Sequence, residues 1–315
     1  MSAPPPRRPL AAVLAPTPRL TVTLERFHDH DDIHLHAGGQ ALWQARMLAA
    51  LGLQVRVCGH FAGEAGAVAH ALITNTGIEV HDVAANGTCG AYVHDRRSGE
   101  RREVGSMAAT PIERHHLDDL YGRFLVDALA ADVVLLGGPD EPHVIPDGFY
   151  RRIASDLRSN HKLVIADLSG APQEAALAGG ITVLKVSDEE LGASEATTEE
   201  VLSAAVGLAR RGVEQVLVTR ATAPTVALIA GEALTVLAPV FEAVDPRGAG
   251  DSFTAAYAAF LALGRSPREA LRYAAAAGAL NVTRHGLASG ERDRIIAFAR
   301  GIDVRSVDLQ PGPTS

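Results

Sequence analysis

Short apolar runs alternate with longer amphipathic segments along most of this chain. The short runs are rich in leucine and β-branched residues, as buried parallel strands are; they comprise Leu10–Leu14, Gln54–Cys58, Asp132–Leu136, Leu163–Ala166, Thr182–Lys185 and Gln215–Thr219. The longer segments repeat apolar residues at helical spacing; they comprise Gln40–Leu51, Ala65–Thr76, Gly148–Ser159, Thr198–Arg211, Phe253–Leu263 and Pro267–Thr283. Because strands and helices alternate, the pattern predicts an α/β fold with a mostly parallel central sheet and helices on both faces.

Two segments depart from this alternation. Residues 21–36 and 88–104 alternate apolar with polar positions, and each contains a turn signal, at Asp29–Asp32 and at Arg97–Gly99 respectively. A period of two is typical of strands with one exposed face. We therefore expect both segments to form antiparallel strands of a small β lid beside the central sheet.

Composition narrows the class of protein. The chain has 315 residues, 47% hydrophobic and 21% charged, so it can bury a core without disulfides. A net charge of −8 with 4% aromatic residues argues against a nucleic-acid partner, and no apolar run reaches the roughly 18 residues of a membrane span. Cys58 and Cys89 lack metal-ligand spacing, which indicates a reducing, cytoplasmic compartment. We expect one domain over residues 10–304, flexible tails at 1–9 and 305–315, and a small-molecule ligand.

The strongest chemical signal is a glycine-containing turn at residues 245–251, Asp-Pro-Arg-Gly-Ala-Gly-Asp, which opens directly into an apolar-periodic helix. Such a turn directs backbone N–H groups and the positive end of the helix dipole at one point, which suits an anion. Asp251 in this turn is either a helix cap or a catalytic base. The neighbouring glycines let a phosphate approach the backbone closely, which favours phosphoryl transfer as the chemistry to test.

At this point the sequence resembles a known family. Asp245–Phe253 is similar to the second signature of the PfkB (ribokinase-like) carbohydrate kinases, and Gly38–Ala45 with Leu51-Gly52 is similar to the first. The segments between them follow the order of the 1-phosphofructokinase-like branch, and the match extends from about Leu10 to Val304. The resemblance implies a ribokinase-like fold and a kinase that uses ATP and Mg²⁺ to phosphorylate a primary hydroxyl of a sugar or sugar-like substrate.

The resemblance also implies roles for individual residues. Asp251 matches the catalytic base, and Gly248, Ala249 and Gly250 match the anion hole. Glu190 matches an acid that organises Mg²⁺ through water, although without the resemblance Asp188, Glu189 and Glu190 are better interpreted as ordinary acids in the first turn of a helix. Asp245 matches a side chain that helps hold a monovalent cation such as K⁺. The matching nucleotide-side positions are Ser187, Glu190, Thr219, Ala221, Pro224 and Asn281.

The sequence departs from the family on both sides of the site. On the nucleotide side, Ser187 replaces an asparagine, and the loop Thr219–Pro224 lacks both of its usual glycines. On the sugar side, Thr21 stands for an aspartate, Gln40 for a lysine, Trp43 for an asparagine and Cys89 for a phosphate-binding arginine. The expected substrate-side positions are Arg19, Thr21, Gly38, Gly39, Gln40, Trp43 and Cys89. Because Gln40 and Cys89 stand where relatives place a positive charge, a neutral substrate is favoured. The remaining candidates for binding a sugar phosphate are Arg19 and, on the lid, Arg101 and Arg102, for which a solvated position is favoured.

Several alternatives stay open from the sequence. Within enzymes they are a nucleoside kinase and a sugar-phosphate kinase of the phosphofructokinase type. An alternative from a different class is a non-catalytic, kinase-like protein that only binds a ligand. Ala221 and Pro224 in the altered loop favour this alternative, whereas the complete Gly248–Asp251 turn argues against it. The expected partners are a sugar or nucleoside and a second copy of the chain, paired through the lid, rather than nucleic acid or membrane.

Overall fold

The computed structural model describes residues 7–83, 86–139, 141, 143–239, 247–281 and 291–308. Its helices are α1 (Gln40–Ala50), α2 (Gly63–Thr74), α3 (Arg114–Ala130), α4 (Asp147–Ser159), α5 (Gly170–Gly179), α6 (Thr198–Ala209), α7 (Ala249–Ala262), α8 (Pro267–Asn281) and α9 (Arg292–Ala299). Its strands are β1 (Leu10–Ala15), β2 (Arg19–Phe27), β3 (His30–Gly38), β4 (Gln54–Gly59), β5 (Glu79–Asp82), β6 (Gly90–Asp95), β7 (Arg102–Met107), β8 (Val133–Gly137), β9 (Val164–Asp167), β10 (Val183–Ser187), β11 (Gln215–Thr219), β12 (Thr225–Ile229), β13 (Glu232–Val236) and β14 (Val304–Ser306). Within these ranges no helix combines the length and apolar character needed to cross a bilayer.

A large central sheet organises the molecule. Over the described residues its strand order is β14-β13-β12-β11-β10-β9-β8-β1-β4-β5. The strands from β11 to β5 pair in parallel, whereas β12, β13 and β14 form an antiparallel edge. The six strands predicted from sequence are β1, β4, β8, β9, β10 and β11, each within two residues of its predicted bounds. The predicted α/β class is confirmed.

The hydrophobic core lies on both faces of this sheet. Along β1, Ala11 and Val13 join one cluster, which includes residues of α1, α7, α8 and α9. Leu10, Ala12 and Leu14 join the other, which includes residues of α3, α4, α5 and α6. A strand buried on both faces has no polar side, which explains why these strands appear as continuous apolar runs.

The antiparallel edge was not predicted. Strands β12 and β13 are joined by a turn at Ala230 and Gly231, whose φ angles are 50° and 83°. Strand β14 then pairs with β13, with Arg305 opposite Thr235. Residues 305 and 306 are therefore part of the sheet, rather than of a flexible tail that begins at 305.

The predicted lid is a separate four-stranded sheet with the order β3-β2-β6-β7. Pairs β2–β3 and β6–β7 are antiparallel, as expected, but β2 and β6 pair in parallel, with Arg19 opposite Gly90. A parallel pair needs a long crossover. The chain between β2 and β6 provides one, because it runs through α1, β4, α2 and β5.

Candidate active site

The glycine turn predicted to bind an anion opens helix α7. Gly248 is the N-cap and has left-handed backbone angles (φ 75°, ψ 2°), which glycine adopts at little cost. Ala249 and Gly250 form the first helical turn together with Asp251. The N–H groups at the start of this helix and the positive end of the helix dipole therefore converge. Asp245, the predicted monovalent-cation residue, lies outside the described residues.

A buried polar network lies next to this turn. The Lys185 Nζ atom is 3.2 Å from Asp167 Oδ1, and both side chains are almost fully buried. The other oxygen of this carboxylate, Oδ2, accepts hydrogen bonds from Gln44 Nε2 at 2.9 Å and from Thr254 Oγ1 at 2.7 Å. Strands β9 and β10 and helices α1 and α7 thus meet at one carboxylate.

Lys185 carries a positive charge in this network. Burial alone would lower the pKa of its ammonium group, but the carboxylates of Asp167, Glu190 and Asp251 outweigh that effect, so the pKa lies above its ordinary value. A buried ion pair is costly unless further hydrogen bonds satisfy its remaining polar atoms. Gln44 and Thr254 supply two of these to Asp167.

Sequence reasoning assigned no role to this network. Asp167 is the last residue of β9, and Lys185 is its register partner on β10. The sequence did offer one signal for these residues, namely their position at or near the carboxyl end of a predicted strand. Ligands of α/β sheets bind beyond the carboxyl ends of the parallel strands, so polar residues there are candidates for the site.

A cavity of about 270 Å³ opens beside the network. Its lining residues are Gln40, Gly138, Pro139, Asp167, Leu168, Ser169, Pro172 and Glu190. Gln40, which was expected on the sugar side, and Glu190, which was expected on the metal side, therefore line the same cavity. A concave site with a few convergent polar groups suits a small polar ligand.

Ser187 and Glu190 contact each other at this cavity. One Glu190 carboxylate oxygen, Oε2, accepts hydrogen bonds from the Ser187 amide at 2.7 Å and the Ser187 hydroxyl at 3.0 Å. The same hydroxyl oxygen accepts a hydrogen bond from the Glu190 amide at 3.2 Å. Residues 188–190 form a turn rather than the start of a helix, so Glu190 does not serve as a helix-dipole acid. A carboxylate presented to the cavity supplies the oxygen ligands that Mg²⁺ prefers.

The altered nucleotide-side loop is anchored by a buried arginine. Thr219 ends β11 and donates a hydrogen bond from Oγ1 to the Val186 carbonyl oxygen at 3.3 Å. Ala221 is exposed and Pro224 half-buried in the bend that leads to β12. Between Thr219 and Ala221, the Arg220 side chain is only 7% exposed.

Arg220 ties this loop to the start of α6. Its guanidinium donates hydrogen bonds to Thr198 Oγ1 at 3.2 Å and to the Ala196 carbonyl oxygen, and its Nε lies 3.7 Å from Asp188 Oδ2. Sequence reasoning missed this residue. Its contacts join the loop after β11 to the residues that precede and open α6.

Asn281 lies at the end of α8 and is almost fully buried. Its Nδ2 donates a hydrogen bond to the Arg247 carbonyl oxygen at 2.8 Å. Because Arg247 precedes Gly248, this contact supports the turn that opens α7. Direct contact between Asn281 and a nucleotide stays a prediction.

The Gly38-Gly39 pair joins the lid to α1. A Cβ atom at position 38 would lie 2.5 Å from Thr21 Oγ1 and 3.2 Å from the Arg19 carbonyl oxygen, so β2 approaches too closely for a side chain there. Gly39 is the N-cap of α1 with φ at 98°, a value that favours glycine. The pair places Gln40 in the first turn of α1, on the wall of the cavity.

Two of the predicted sugar-side residues lie in the packed interior. Trp43 is 6% exposed, and the Arg46 guanidinium lies 5.5 Å from its ring centre. Cys89 is fully buried and donates a hydrogen bond from Sγ to the His60 carbonyl oxygen at 3.1 Å. Burial raises the pKa of the Cys89 thiol to about 11. These placements favour packing roles over direct substrate contact.

Arg19, the candidate phosphate ligand, forms an ion pair with Glu141. Arg19 Nη2 lies 3.0 Å from Glu141 Oε1, and the guanidinium lies over the Tyr92 ring at 5.3 Å from its centre. The second oxygen, Glu141 Oε2, accepts a hydrogen bond from the Ala109 amide at 2.7 Å. A Cβ atom at Gly90 would lie 2.9 Å from Oε1. A carboxylate that sequence reasoning missed therefore occupies the junction between the lid and the loop after β8.

Comparison with known proteins identifies the family. The model of the pfkB family carbohydrate kinases matches residues 18–294. ATP-dependent 6-phosphofructokinase isozyme 2 of Mycobacterium tuberculosis is 28% identical over 83% of this chain and 78% of the relative. Ribokinase of Arabidopsis thaliana is 34% identical over 48% of this chain, which spans only 42% of that relative. The structure of phosphofructokinase-2 from Escherichia coli in complex with potassium has a TM-score of 0.77 at 22% identity, covering 93% of this chain and 98% of that one.

The family match spans most of the sequence and includes both signature turns. The chain therefore belongs to the pfkB family of carbohydrate kinases, phosphotransferases that act on hydroxyl groups. The ribokinase-like fold and the assignment as an ATP-dependent sugar kinase are confirmed.

Proposed function

We propose that this chain transfers the γ-phosphate of ATP to a primary hydroxyl of an unphosphorylated sugar or sugar-like polyol. The observation that carries the proposal is the α7 turn, Gly248–Asp251, packed against a charged network that also lines a polar cavity. An anion-binding turn, a carboxylate base and a cavity for a polar ligand are the parts that phosphoryl transfer requires.

The reaction follows from these parts. The substrate hydroxyl oxygen attacks the γ-phosphorus, the bond to the bridging oxygen of ADP breaks, and the hydroxyl proton passes to the Asp251 carboxylate. The N–H groups of the first α7 turn donate hydrogen bonds to the phosphoryl oxygens as charge develops there. Because this chemistry depends on positioning and charge stabilisation, no covalent enzyme intermediate is needed.

The proposed reaction uses two cations. Mg²⁺ bound with ATP neutralises the phosphate charge, and Glu190 would organise it through water from the cavity wall. A monovalent cation such as K⁺ is proposed at Asp245, on the family resemblance and on the potassium complex of the E. coli phosphofructokinase-2.

The charge pattern on the sugar side supports a neutral substrate. A sugar phosphate brings nearly two negative charges, which proteins usually meet with lysine or arginine in direct contact. Here Gln40 faces the cavity, Cys89 is buried, and Arg19 is paired with Glu141. Binding a phosphate at Arg19 would require displacing that carboxylate.

A turnover screen tests the proposed reaction. ADP release is measured with Mg-ATP and matched pairs such as fructose and fructose 6-phosphate, together with a nucleoside panel. We expect a higher kcat/KM for the unphosphorylated member of each pair. A strong preference for the phosphorylated member that disappears in Arg19→Ala would overturn the neutral-substrate proposal, and turnover restricted to nucleosides would replace the sugar with a nucleoside. Binding of ATP without any turnover would favour the non-catalytic alternative.

We also propose a homodimer formed through the lid. The lid exposes five large apolar side chains, Phe27, Ile33, Leu35, Val104 and Met107. The strand register places Ile33, Leu35 and Met107 on the same face of the lid sheet. Exposed apolar surface on this scale is typical of an interaction site, and a second copy of the chain covers it by symmetry.

The proposed compartment is the cytoplasm. Cys58 and Cys89 are both free, buried thiols, the state that a reducing compartment maintains.

A further inference from the structure

The start of helix α3 brings three metal-ligating side chains together. Glu113 is the N-cap residue, and His115 and His116 lie in the first turn. One ligand atom from each of the three side chains lies within 4.8 Å of the other two, and the described residues contain one such group. The group shares no residue with the polar cavity or with the α7 turn, so it lies outside the candidate active site.

The spacing of the three side chains suits a metal ion. Glu113 Oε2 lies 3.6 Å from His115 Nδ1 and 3.9 Å from His116 Nδ1. These distances are too long for hydrogen bonds. In a tetrahedral zinc site with bonds of about 2.1 Å, two ligand atoms lie about 3.4 Å apart. A small movement of the exposed Glu113 carboxylate closes the difference.

The ligand atoms are not engaged in other hydrogen bonds of the fold. The Glu113 side chain makes no capping hydrogen bond to α3. His116 is 9% exposed, and its Nδ1 atom is buried without a hydrogen-bond partner among the described residues. This nitrogen faces the Glu113 carboxylate, and a polar atom buried in this way is costly. A metal ion held between the two side chains would satisfy it.

A buried histidine holds the His116 ring from the inner side. The ring of His60 packs against that of His116 with their planes 14° apart and their centres separated by 6.4 Å. His60 is 2% exposed, and its Nδ1 donates a hydrogen bond to the Val83 carbonyl oxygen at 3.2 Å. Because His60 is fixed by the core, the orientation of the His116 ring is set before any ion binds, which favours binding.

We propose that Glu113, His115 and His116 bind a borderline divalent cation such as Zn²⁺. Two imidazoles and one carboxylate form a ligand set that zinc accepts, with water in the fourth position. The same set disfavours Mg²⁺, which prefers oxygen ligands. The dipole of α3 opposes a cation at this end of the helix, and the negative charge of Glu113 offsets that effect. The site does not depend on the proposed kinase reaction.

Calorimetric titration of Zn²⁺ tests the assignment. The full chain is treated with EDTA, desalted and titrated without nucleotide, in buffer with excess Mg²⁺ that occupies oxygen-ligand sites. We expect His115→Asn and Glu113→Gln each to weaken Zn²⁺ binding at least about tenfold, because each removes one ligand. The control is His161→Asn, which changes an exposed histidine whose φ of 53° asparagine tolerates. Wild-type affinity in both ligand variants, or an equal loss in His161→Asn, would overturn the proposal.

Thermal unfolding provides a second readout that separates binding from misfolding. The His115 side chain is 66% exposed, so His115→Asn is expected to keep the wild-type melting temperature in EDTA. Zn²⁺ is expected to raise the melting temperature of the wild type and of His161→Asn, but not that of His115→Asn. An equal rise in His115→Asn would contradict the site. Neither measurement uses a sugar or ATP, so a failure of the proposed kinase reaction would leave this result intact.

Discussion

At Asp251 a structural role and a catalytic role predict different outcomes for the same substitution. An acid in the first turn of α7 stabilises the helix dipole by up to about 1 kcal/mol, and its loss would leave kcat unchanged. We expect Asp251→Asn to lower kcat by about 10²–10⁴-fold, because the amide cannot accept the hydroxyl proton, with little change in ATP affinity. Steady-state turnover and ATP calorimetry measure both effects. Asp293→Asn changes the first-turn acid of α9 and is the matched control; near wild-type kcat in Asp251→Asn would leave Asp251 with the dipole role alone.

At Gly250 an added side chain would meet the buried Lys185 ammonium group. In Gly250→Ala the new Cβ atom meets the Lys185 ammonium at 3.0 Å, inside normal contact distance. Because Asp167 holds that ammonium, either the cation or the α7 turn must shift, and displacements of about 1 Å cost up to about 10²-fold in rate. We expect kcat to fall at least about tenfold with a small change in melting temperature. Gly122→Ala in α3, where no atom lies within 4 Å of the added Cβ, is the control; a large loss of stability with normal kcat of the folded fraction would make Gly250 structural only.

At the scale of elements, the loop between β11 and β12 depends on Arg220. Substitution Arg220→Met removes the hydrogen bonds to Thr198 and Ala196 and leaves Asp188, which is 7% exposed, without its cation. We expect the free energy of unfolding to fall by about 1–3 kcal/mol and KM for ATP to rise several-fold more than KM for the sugar, because the nucleotide-side loop loses its anchor. Urea denaturation and steady-state kinetics check this. The exposed Arg210 at the end of α6 provides the control variant Arg210→Met; equal changes in both KM values would show that Arg220 does not act through the nucleotide loop.

At the scale of the whole molecule, we expect the lid to determine assembly. Ile33 is 57% exposed on a sheet face that it shares with Leu35 and Met107. A charge placed there would be desolvated in the proposed dimer interface, so we expect Ile33→Arg to shift the proposed dimer to a monomer at micromolar concentration. Light scattering coupled to size exclusion measures the mass. Val126→Arg, at an even more exposed apolar position on α3 outside the lid strands, should leave the mass unaltered. A dimer that persists in Ile33→Arg would place the interface elsewhere.

Local patterns in the sequence determined the fold class and the position of the glycine turn that opens α7. Parallel strands buried on both faces are mostly apolar, so β1 and the centre of β11 are visible as apolar runs without any knowledge of their partners. The turn at Gly248 is visible because a helix start, a left-handed glycine and an acid are encoded within a few neighbouring residues. Ser187 and Glu190 are three residues apart, and their contact follows from that spacing.

Only the tertiary structure decided which polar groups meet across the fold. Lys185 reaches Asp167 because β9 and β10 are adjacent and in register, and Arg19 reaches Glu141 although 122 residues separate them. Apolar periodicity carries no information about such pairs, since it reports which face of an element is buried and not which element lies against it. The parallel pairing of β2 with β6 was missed for the same reason, because alternation within a strand is identical in parallel and antiparallel pairs. Hydrophobic patterning therefore determined the fold class of this protein, while strand order and register determined which charged side chain lies against the glycine turn of α7.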